Sequence, residues 1–168
     1  MSVLRSLIAL LRSTYRLNWH GIHGVAHWAR VRNNGLRLAR TTGANLDVVE
    51  CFAFLHDACR HSEGRDIGHG MRAAKLACAI RDRHIALNDE DFDRLVEALA
   101  GHTDGTCPND ITVATCWDAD RLDLGRVDIV PDPRYLHTVP GRDPATIKWA
   151  FERSVQWRIR YLARMAKR

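Results

Sequence analysis

The stretch "NLDVVECFAFLHDACR", residues 45–60, carries the two features that decide the fold and the chemistry of this chain. Asp47 is followed three residues later by Glu50, which resembles a capping box and predicts the start of a helix. The apolar run of this helix ends in His56 and Asp57, at the edge of a core. Buried polar groups are costly unless something pairs with them. The sequence therefore predicts a partner for this histidine and aspartate.

The remaining sequence repeats the helical pattern. Apolar residues recur at helical spacing, and capping residues, glycine or proline mark the ends of the segments. Residues 111–117, "ITVATCW", would alone also fit a strand, but alternating strand patterns are almost absent elsewhere. We predict an all-α fold, one compact helical bundle over residues 1–168, with a metal-binding core at about 20–127 and a basic C-terminal helix at about 143–166. Helices are predicted in residues 3–11, 24–43, 45–60, 69–82, 88–101 and 110–124, and from Asp143 as cap with Pro144 as first residue.

Composition restricts the partners and the compartment. The net charge of +5 favours anionic partners. The longest early apolar run, residues 7–11, is too short for a membrane span or a signal peptide, so no membrane partner is expected. The five cysteines form no CxxC pair, which argues against a disulfide framework or a zinc ribbon. A cytoplasmic location is the resulting expectation, and the oligomeric state is left open.

Histidines and aspartates recur at the ends of different predicted helices, where they could converge in a bundle core. Imidazole and carboxylate together suit Mn, Co, Ni, Zn or Fe better than Ca, which binds oxygen ligands only. A divalent transition metal would also pair the polar groups at the end of residues 45–60. The candidate ligands are His27, His56, Asp57, His69, His102 and Asp120.

These residues resemble the HD-domain superfamily of metal-dependent phosphohydrolases. The pattern of that family is a histidine, then an adjacent His-Asp pair, then a distant aspartate, and "HWARV", "FLHDACR" and "DADRLDLGRV" are similar to its three elements. The resemblance spans about residues 20–127 and implies that one metal is held by His27, His56, Asp57 and Asp120. Asp120 is preferred over Asp118 because the "ADR" of the family places the ligand directly before the arginine.

Two further segments resemble the dinuclear branches of the superfamily. "HGMRAA" and "GHTDG" are similar to the two extra histidine elements of those branches. The resemblance implies a second metal on His69 and His102, with Asp57 bridging the two ions. In the alternative, both histidines line a mononuclear pocket and contact the phosphate of the substrate. One or two ions therefore remain open at this point.

The resemblance implies hydrolysis by attack of a metal-activated water on phosphorus. Fixed cations would neutralise the phosphoryl oxygens, and Arg60 is a candidate for catalysis together with Asp57, His69 and His102. For each arginine, a surface or structural ion pair is the competing interpretation. The residues expected to bind substrate are Arg30, Arg60, Arg65 and His23.

Several functions are compatible with this site. The favoured function is a phosphohydrolase acting on a small phosphorylated substrate, with a nucleotide as the preferred class. A di-iron HD-type oxygenase and a phosphodiesterase with a dinuclear site are the enzymatic alternatives. A nucleotide-binding or nucleic-acid-associated module without turnover is the third. The basic and aromatic residues of the last helix fit nucleic-acid binding, but we favour aromatics packed on the domain and cations in water.

Overall fold

A computed structural model describes residues 3–105 and 107–167, and within these ranges all regular structure is helical. This confirms the all-α prediction. Met1, Ser2, Thr106 and Arg168, which the predicted domain includes, lie outside the described residues. The division of the chain into domains stays a prediction. The helices are α1 (Val3–Thr14), α2 (Val25–Thr42), α3 (Leu46–Leu55), α4 (His69–His84), α5 (Asp89–Gly101), α6 (Ile111–Arg121), α7 (Val139–Arg142) and α8 (Pro144–Met165), with 3-10 turns at Leu124–Val127 and Pro133–Tyr135.

Most helix starts lie where the sequence predicts them, but α3 ends at Leu55 instead of residue 60 and α6 ends at Arg121 instead of residue 124. Gly43 ends α2 in the left-handed conformation, with φ of 75°. Asp143 caps α8 by accepting a hydrogen bond from the N–H of Thr146. The cap of α3, however, is Asn45, whose side-chain oxygen accepts from the N–H groups of Asp47 and Val48. The capping box predicted at Asp47 is therefore wrong, and Asp47 lies in the first turn, where its charge favours the helix dipole.

The ambiguous stretch 111–117 is helical. Asp110 accepts hydrogen bonds from the N–H groups of Thr112 and Val113, which starts α6. The helix packs against α2, α3 and α5 and is almost wholly buried. Because a central helix is apolar on all sides, its sequence lacks the polar face that distinguishes an amphipathic helix from a buried strand.

The core lies between α2, α3, α5 and α6, with α4 packed on α5. Trp28, Phe52 and Leu95 are fully buried there. A smaller cluster attaches α8 to the bundle. On α8, Trp149 and Trp157 are half-buried and covered by arginine guanidinium groups, which agrees with the packing interpretation of this helix. None of the helices among the described residues is both long and apolar enough to cross a bilayer.

Candidate metal centre

Five helices bring the predicted ligands to one end of the bundle. His27 lies in the first turn of α2, and Asp120 lies in the last turn of α6. His56 and Asp57 follow α3, His69 begins α4, and His102 follows α5. Ring nitrogens and carboxylate oxygens form three groups, and within each group these atoms lie within 4.8 Å of one another. The groups are His27, His56 and Asp120; Asp57, His69 and His102; and His23, His27 and Asp57.

His27 and His56 form the first histidine pair, in which two nitrogen lone pairs face each other. The Nδ1–H of His27 donates to Asp123 Oδ2 at 2.7 Å, and the Nδ1–H of His56 donates to the carbonyl of Ala53 at 3.1 Å. Both acceptors lack a proton, so in the neutral imidazoles each Nε2 carries a lone pair. The two Nε2 atoms are 3.0 Å apart. Such an arrangement requires a cation or a proton between them.

The second histidine pair repeats this geometry. The Nδ1–H of His69 donates to the carbonyl of Asp66 at 2.7 Å, and that of His102 donates to the carbonyl of Leu99 at 2.8 Å. Their Nε2 atoms lie 2.8 Å apart. By the same argument each of these Nε2 atoms carries a lone pair, and the two lone pairs face each other.

Asp57 lies between the two pairs and is 2% exposed. Its Oδ2 is 3.5 Å from His27 Nε2, and its Oδ1 is 3.3 Å from His69 Nε2. His23 Nδ1 lies 2.8 Å from Oδ2 of the same carboxylate, and its Nε2 lies 3.2 Å from the carbonyl of Glu63. One oxygen of Asp57 thus faces each histidine pair, and His23 contacts this carboxylate directly.

Asp118 and Asp120 have different surroundings although they are two residues apart. Asp120 Oδ1 is buried, has no hydrogen-bond partner among the described residues, and lies 3.3 Å from His27 Nε2. Asp118 accepts three hydrogen bonds, from the N–H of His137 and from both the N–H and the hydroxyl of Thr138. Asp120 therefore has the free oxygen that a metal ligand requires, and Asp118 holds the segment that precedes α7.

The electrostatics of the metal-free cluster agree with this geometry. Burial lowers the pKa of His56 to about 3, which keeps its Nε2 lone pair available. Burial alone would also lower the pKa of His27, but the carboxylates of Asp120, Asp123 and Asp57 raise it to about 9. Without a metal ion, a proton on His27 therefore lies between its Nε2 atom and that of His56. Burial would raise the pKa of Asp57 and Asp120, yet the facing histidines hold both well below their usual range.

The donor set fits a divalent transition metal. Four imidazole nitrogens and two carboxylates converge, and each histidine is oriented through its other nitrogen. One carboxylate oxygen, Asp120 Oδ1, has no hydrogen-bond partner in the part of the chain that the structure describes. Hydrogen bonds from the remote ring nitrogen are the usual support of histidine ligands. Mixed nitrogen and oxygen donors suit Mn, Fe, Co, Ni or Zn.

The predicted cations are placed differently from one another. Arg60 is buried, and its guanidinium donates to the carbonyls of Ser62 and Gly64. Its Nη1 is 3.3 Å from His69 Nε2 and 3.5 Å from Asp57 Oδ1. Arg65 is exposed on the loop before α4. The predicted Arg60 thus borders the cluster, and Arg65 lies on the surface.

Arg30, which is predicted to contact the substrate, is engaged by another side chain. Its Nε and Nη2 donate to the two oxygens of Asp123 at 2.7 and 2.9 Å, and its guanidinium lies over the ring of Trp157. Asp123 in turn accepts the hydrogen bond of His27. Because both of these donors of Arg30 are engaged by Asp123, Arg30 positions a ligand-orienting carboxylate instead of presenting a free cation.

Two residues of the site are missing from the predicted set. Asp123 orients His27, and Arg126 is buried on the 3-10 turn with its Nη2 3.9 Å from Asp120 Oδ1. Asp123 follows Asp120 by three residues, which places the two on the same side of a helix, and Arg126 follows Asp123 by three residues on the 3-10 turn. That spacing is the only sequence signal that could have identified them.

A cavity of about 660 Å³ adjoins the cluster. Thr103 lines it, and the hydroxyl of this residue is 3.3 Å from His69 Nε2. The walls combine apolar side chains with Arg121, Arg134 and Tyr135. Its volume lies in the range of small-molecule sites.

The comparisons with known proteins identify the fold. No protein-family model matches the chain, and no curated protein matches it in sequence. Among solved structures, the chain is similar to a predicted HD superfamily hydrolase from an uncultured Thermotogales bacterium, with 22% sequence identity and a TM-score of 0.70. The match covers 96% of this chain and 92% of that one. Identity of this degree establishes the fold alone, and it confirms the predicted helical bundle, which has the fold of that structure.

Proposed function

We propose that the chain is a metal-dependent phosphohydrolase that acts on a small phosphorylated substrate, with a nucleotide as the favoured class. The observation that carries this proposal is the pair of facing histidine lone pairs on either side of the Asp57 carboxylate. A bound cation satisfies the lone pairs of both histidine pairs together, whereas a proton on His27 satisfies the first pair alone. The likeness to a predicted HD superfamily hydrolase supports the same reaction class by analogy of fold.

The proposed centre holds two divalent ions. His27, His56 and Asp120 bind one ion, His69 and His102 bind the other, and Asp57 is shared. When bound, such ions lower the pKa of a coordinated water and polarise a phosphoryl oxygen. The symmetric arrangement of the two histidine pairs favours two ions over the mononuclear alternative left open by the sequence.

The residues around the ligands orient them and supply positive charge. Asp123 holds His27 in the tautomer that exposes Nε2, and Arg30 fixes Asp123 through two hydrogen bonds. Arg60 reaches the opposite side of the centre, where its charge stabilises an anionic substrate. His23 contacts Asp57 and borders the same space, so its predicted substrate contact is retained as part of the proposal.

The cavity beside Thr103 is the proposed site for the rest of the substrate. None of the proposed ligands lines it, but Thr103 connects it to the second histidine pair. Its apolar walls and Tyr135 suit a planar, partly apolar group such as a nucleobase. Two arginines and two aspartates line it, and Arg134 pairs with Asp132, so the cavity itself is close to neutral. These features support a nucleotide among the small phosphorylated substrates.

The test measures metal content and phosphate release together. The full chain is purified without added metal, analysed for bound elements, and assayed on a panel of nucleoside monophosphates, diphosphates and triphosphates. Asp57→Asn is expected to lose both ions and at least a thousandfold of the rate, because a shared ligand is removed (~10³ corresponds to about 4 kcal/mol). The matched control is Asp93→Asn, an exposed carboxylate on α5. Normal turnover in Asp57→Asn with normal metal content would overturn the proposal.

The oxygenase alternative has its own signature in the same experiment. A carboxylate between two histidine pairs also suits two irons. Two equivalents of iron, consumption of oxygen and no release of phosphate would replace the hydrolase with the oxygenase. If Asp57→Asn fails to fold and the parent protein shows no turnover, the non-catalytic module is favoured instead. A cytoplasmic location stays a prediction, in keeping with the free cysteines of the described chain.

A further inference from the structure

Arg126 is a buried cation with unused donors at the metal centre. It is 7% exposed and lies on the 3-10 turn Leu124–Val127, after α6. Its Nη1 donates to the carbonyl of Asp123 at 3.2 Å. Its Nε is buried and has no hydrogen-bond partner among the described residues. Its Nη2 is 3.9 Å from Asp120 Oδ1, which also lacks a hydrogen-bond partner.

A structural ion pair would look different. Arg30 and Asp123 show the usual form in the same site, with two hydrogen bonds of 2.7 and 2.9 Å. Arg126 is held too far from Asp120 for a hydrogen bond, although Arg126 and the Oδ1 atom of Asp120 are both buried. Burying a guanidinium group and leaving donors unpaired is costly. The Nε atom is closed to solvent, but a ligand that accepts hydrogen bonds from Nη2 offsets part of that cost.

The charges of the site identify the ligand as an anion. Three carboxylates, from Asp57, Asp120 and Asp123, are matched by the three guanidinium groups of Arg30, Arg60 and Arg126. With neutral histidines the protein part of the centre is therefore balanced, and every divalent ion that binds adds two uncompensated positive charges. A terminal phosphoryl group, with close to two negative charges at neutral pH, compensates this excess better than a phosphodiester with one.

We propose that Arg126 binds the non-bridging oxygens of a terminal phosphoryl group held beside Asp120, so that the site selects phosphomonoesters and terminal phosphates over phosphodiesters. The inference rests on the proposed phosphohydrolase function and assigns it a substrate class. Arg126 then contributes charge-assisted hydrogen bonds to the phosphoryl oxygens, and Arg60 approaches the same group from the side of His69.

The experiment uses inorganic phosphate as the probe on the metal-loaded full chain. Calorimetric affinity for phosphate and for dimethyl phosphate is measured for the parent, Arg126→Gln, Arg126→Lys and the control Arg158→Gln. Arg158 lies on α8, pairs with Asp128 and also loses one positive charge in the control. Arg126→Gln is expected to weaken phosphate binding about tenfold to a hundredfold with unchanged metal content. Arg158→Gln is expected to bind phosphate as the parent does.

Each outcome decides a different claim. Parent-like phosphate affinity in Arg126→Gln, with metal bound and phosphate esters still hydrolysed by the parent, overturns the role of Arg126 and leaves the phosphohydrolase standing. A parent that binds metal, but neither binds phosphate nor hydrolyses phosphate esters, overturns the proposed function itself. Equal affinity for dimethyl phosphate and phosphate overturns the preference for terminal phosphoryl groups. If Arg126→Gln loses its fold or its metal, phosphate binding is measured in Arg126→Lys instead. Weaker binding in Arg126→Lys than in the parent supports the inference, and equal binding refutes it.

Discussion

Asp118 and Asp120 offer the sharpest test of the proposed centre, because they are the same residue type on one helix with opposite roles. Asp118 accepts from the N–H of His137 at 2.8 Å and from the N–H and hydroxyl of Thr138 at 2.8 and 2.7 Å. In Asp118→Asn the amide oxygen can still face Thr138, but the amide nitrogen then opposes the N–H of His137. One buried donor is left unsatisfied, and two hydrogen bonds lose their charge.

The expected cost is about 3 kcal/mol. The unsatisfied N–H of His137 accounts for about 2 kcal/mol, and the two bonds to Thr138 weaken by about 0.5 kcal/mol each. For a chain of this size, 1 kcal/mol corresponds to about 2–4 °C in Tm, so the loss is about 6–12 °C. Metal content is expected to stay that of the parent, since the carboxylate of Asp118 contacts none of the proposed ligands.

The assay compares Asp118→Asn with Asp120→Asn. Thermal unfolding of the metal-free proteins is followed by circular dichroism, and bound metal is measured after reconstitution. Asp120→Asn is expected to lose at least one equivalent of metal. Its metal-free Tm is also expected to fall, because the Asp120 carboxylate faces His27 and its pKa is held well below its usual range. Loss of metal in Asp118→Asn with an unchanged metal-free Tm, together with full metal content in Asp120→Asn, would reverse the assignment and refute the argument.

Three further outcomes are expected. A Cβ at Gly70 would collide with the carbonyl of Leu99 and lie 3.0 Å from His102 Nδ1. Gly70→Ala should therefore lower the free energy of unfolding by about 1–3 kcal/mol. It should also release the ion assigned to His102, which elemental analysis would measure. Burial would raise the pKa of Asp110, but hydrogen bonds from the α6 backbone and Arg94 lower it from 3.8. This carboxylate stabilises the fold above its unfolded pKa and loses that effect as the pH falls through the folded pKa. Asp110→Asn keeps a capping oxygen but loses the charge that pairs with Arg94, so it should lower the free energy of unfolding at pH 7 by about 0.5 kcal/mol. In thermal melts this difference should narrow as the pH falls below 3.8, and no difference at pH 7 would contradict the role of the charge. Chelation should lower Tm by about 5–10 °C if ions are present at about a hundredfold their Kd, and an unchanged Tm would contradict tight binding to the native state.

The sequence by itself determined the helices and the set of converging ligands. Helical periodicity and capping residues are local signals, which is why Gly43 and Asp143 mark real helix ends. The order of histidine, His-Asp pair and aspartate was sufficient to predict the bundle. The error at Asp47 arose because a second capping residue, Asn45, lies two positions earlier. Either residue could begin the helix, and local sequence does not rank them.

The tertiary structure decided which contacts each of those residues makes. Asp118 and Asp120 point to different sides of α6 because two residues turn a helix by about 200°, and only packing shows which side holds the histidines. Arg30 and Arg126 look alike as cations near the motif, yet Asp123 engages the first through two hydrogen bonds and leaves donors of the second unpaired. These distinctions depend on contacts between residues about 90 positions apart, such as Arg30 and Asp123, which no local pattern encodes.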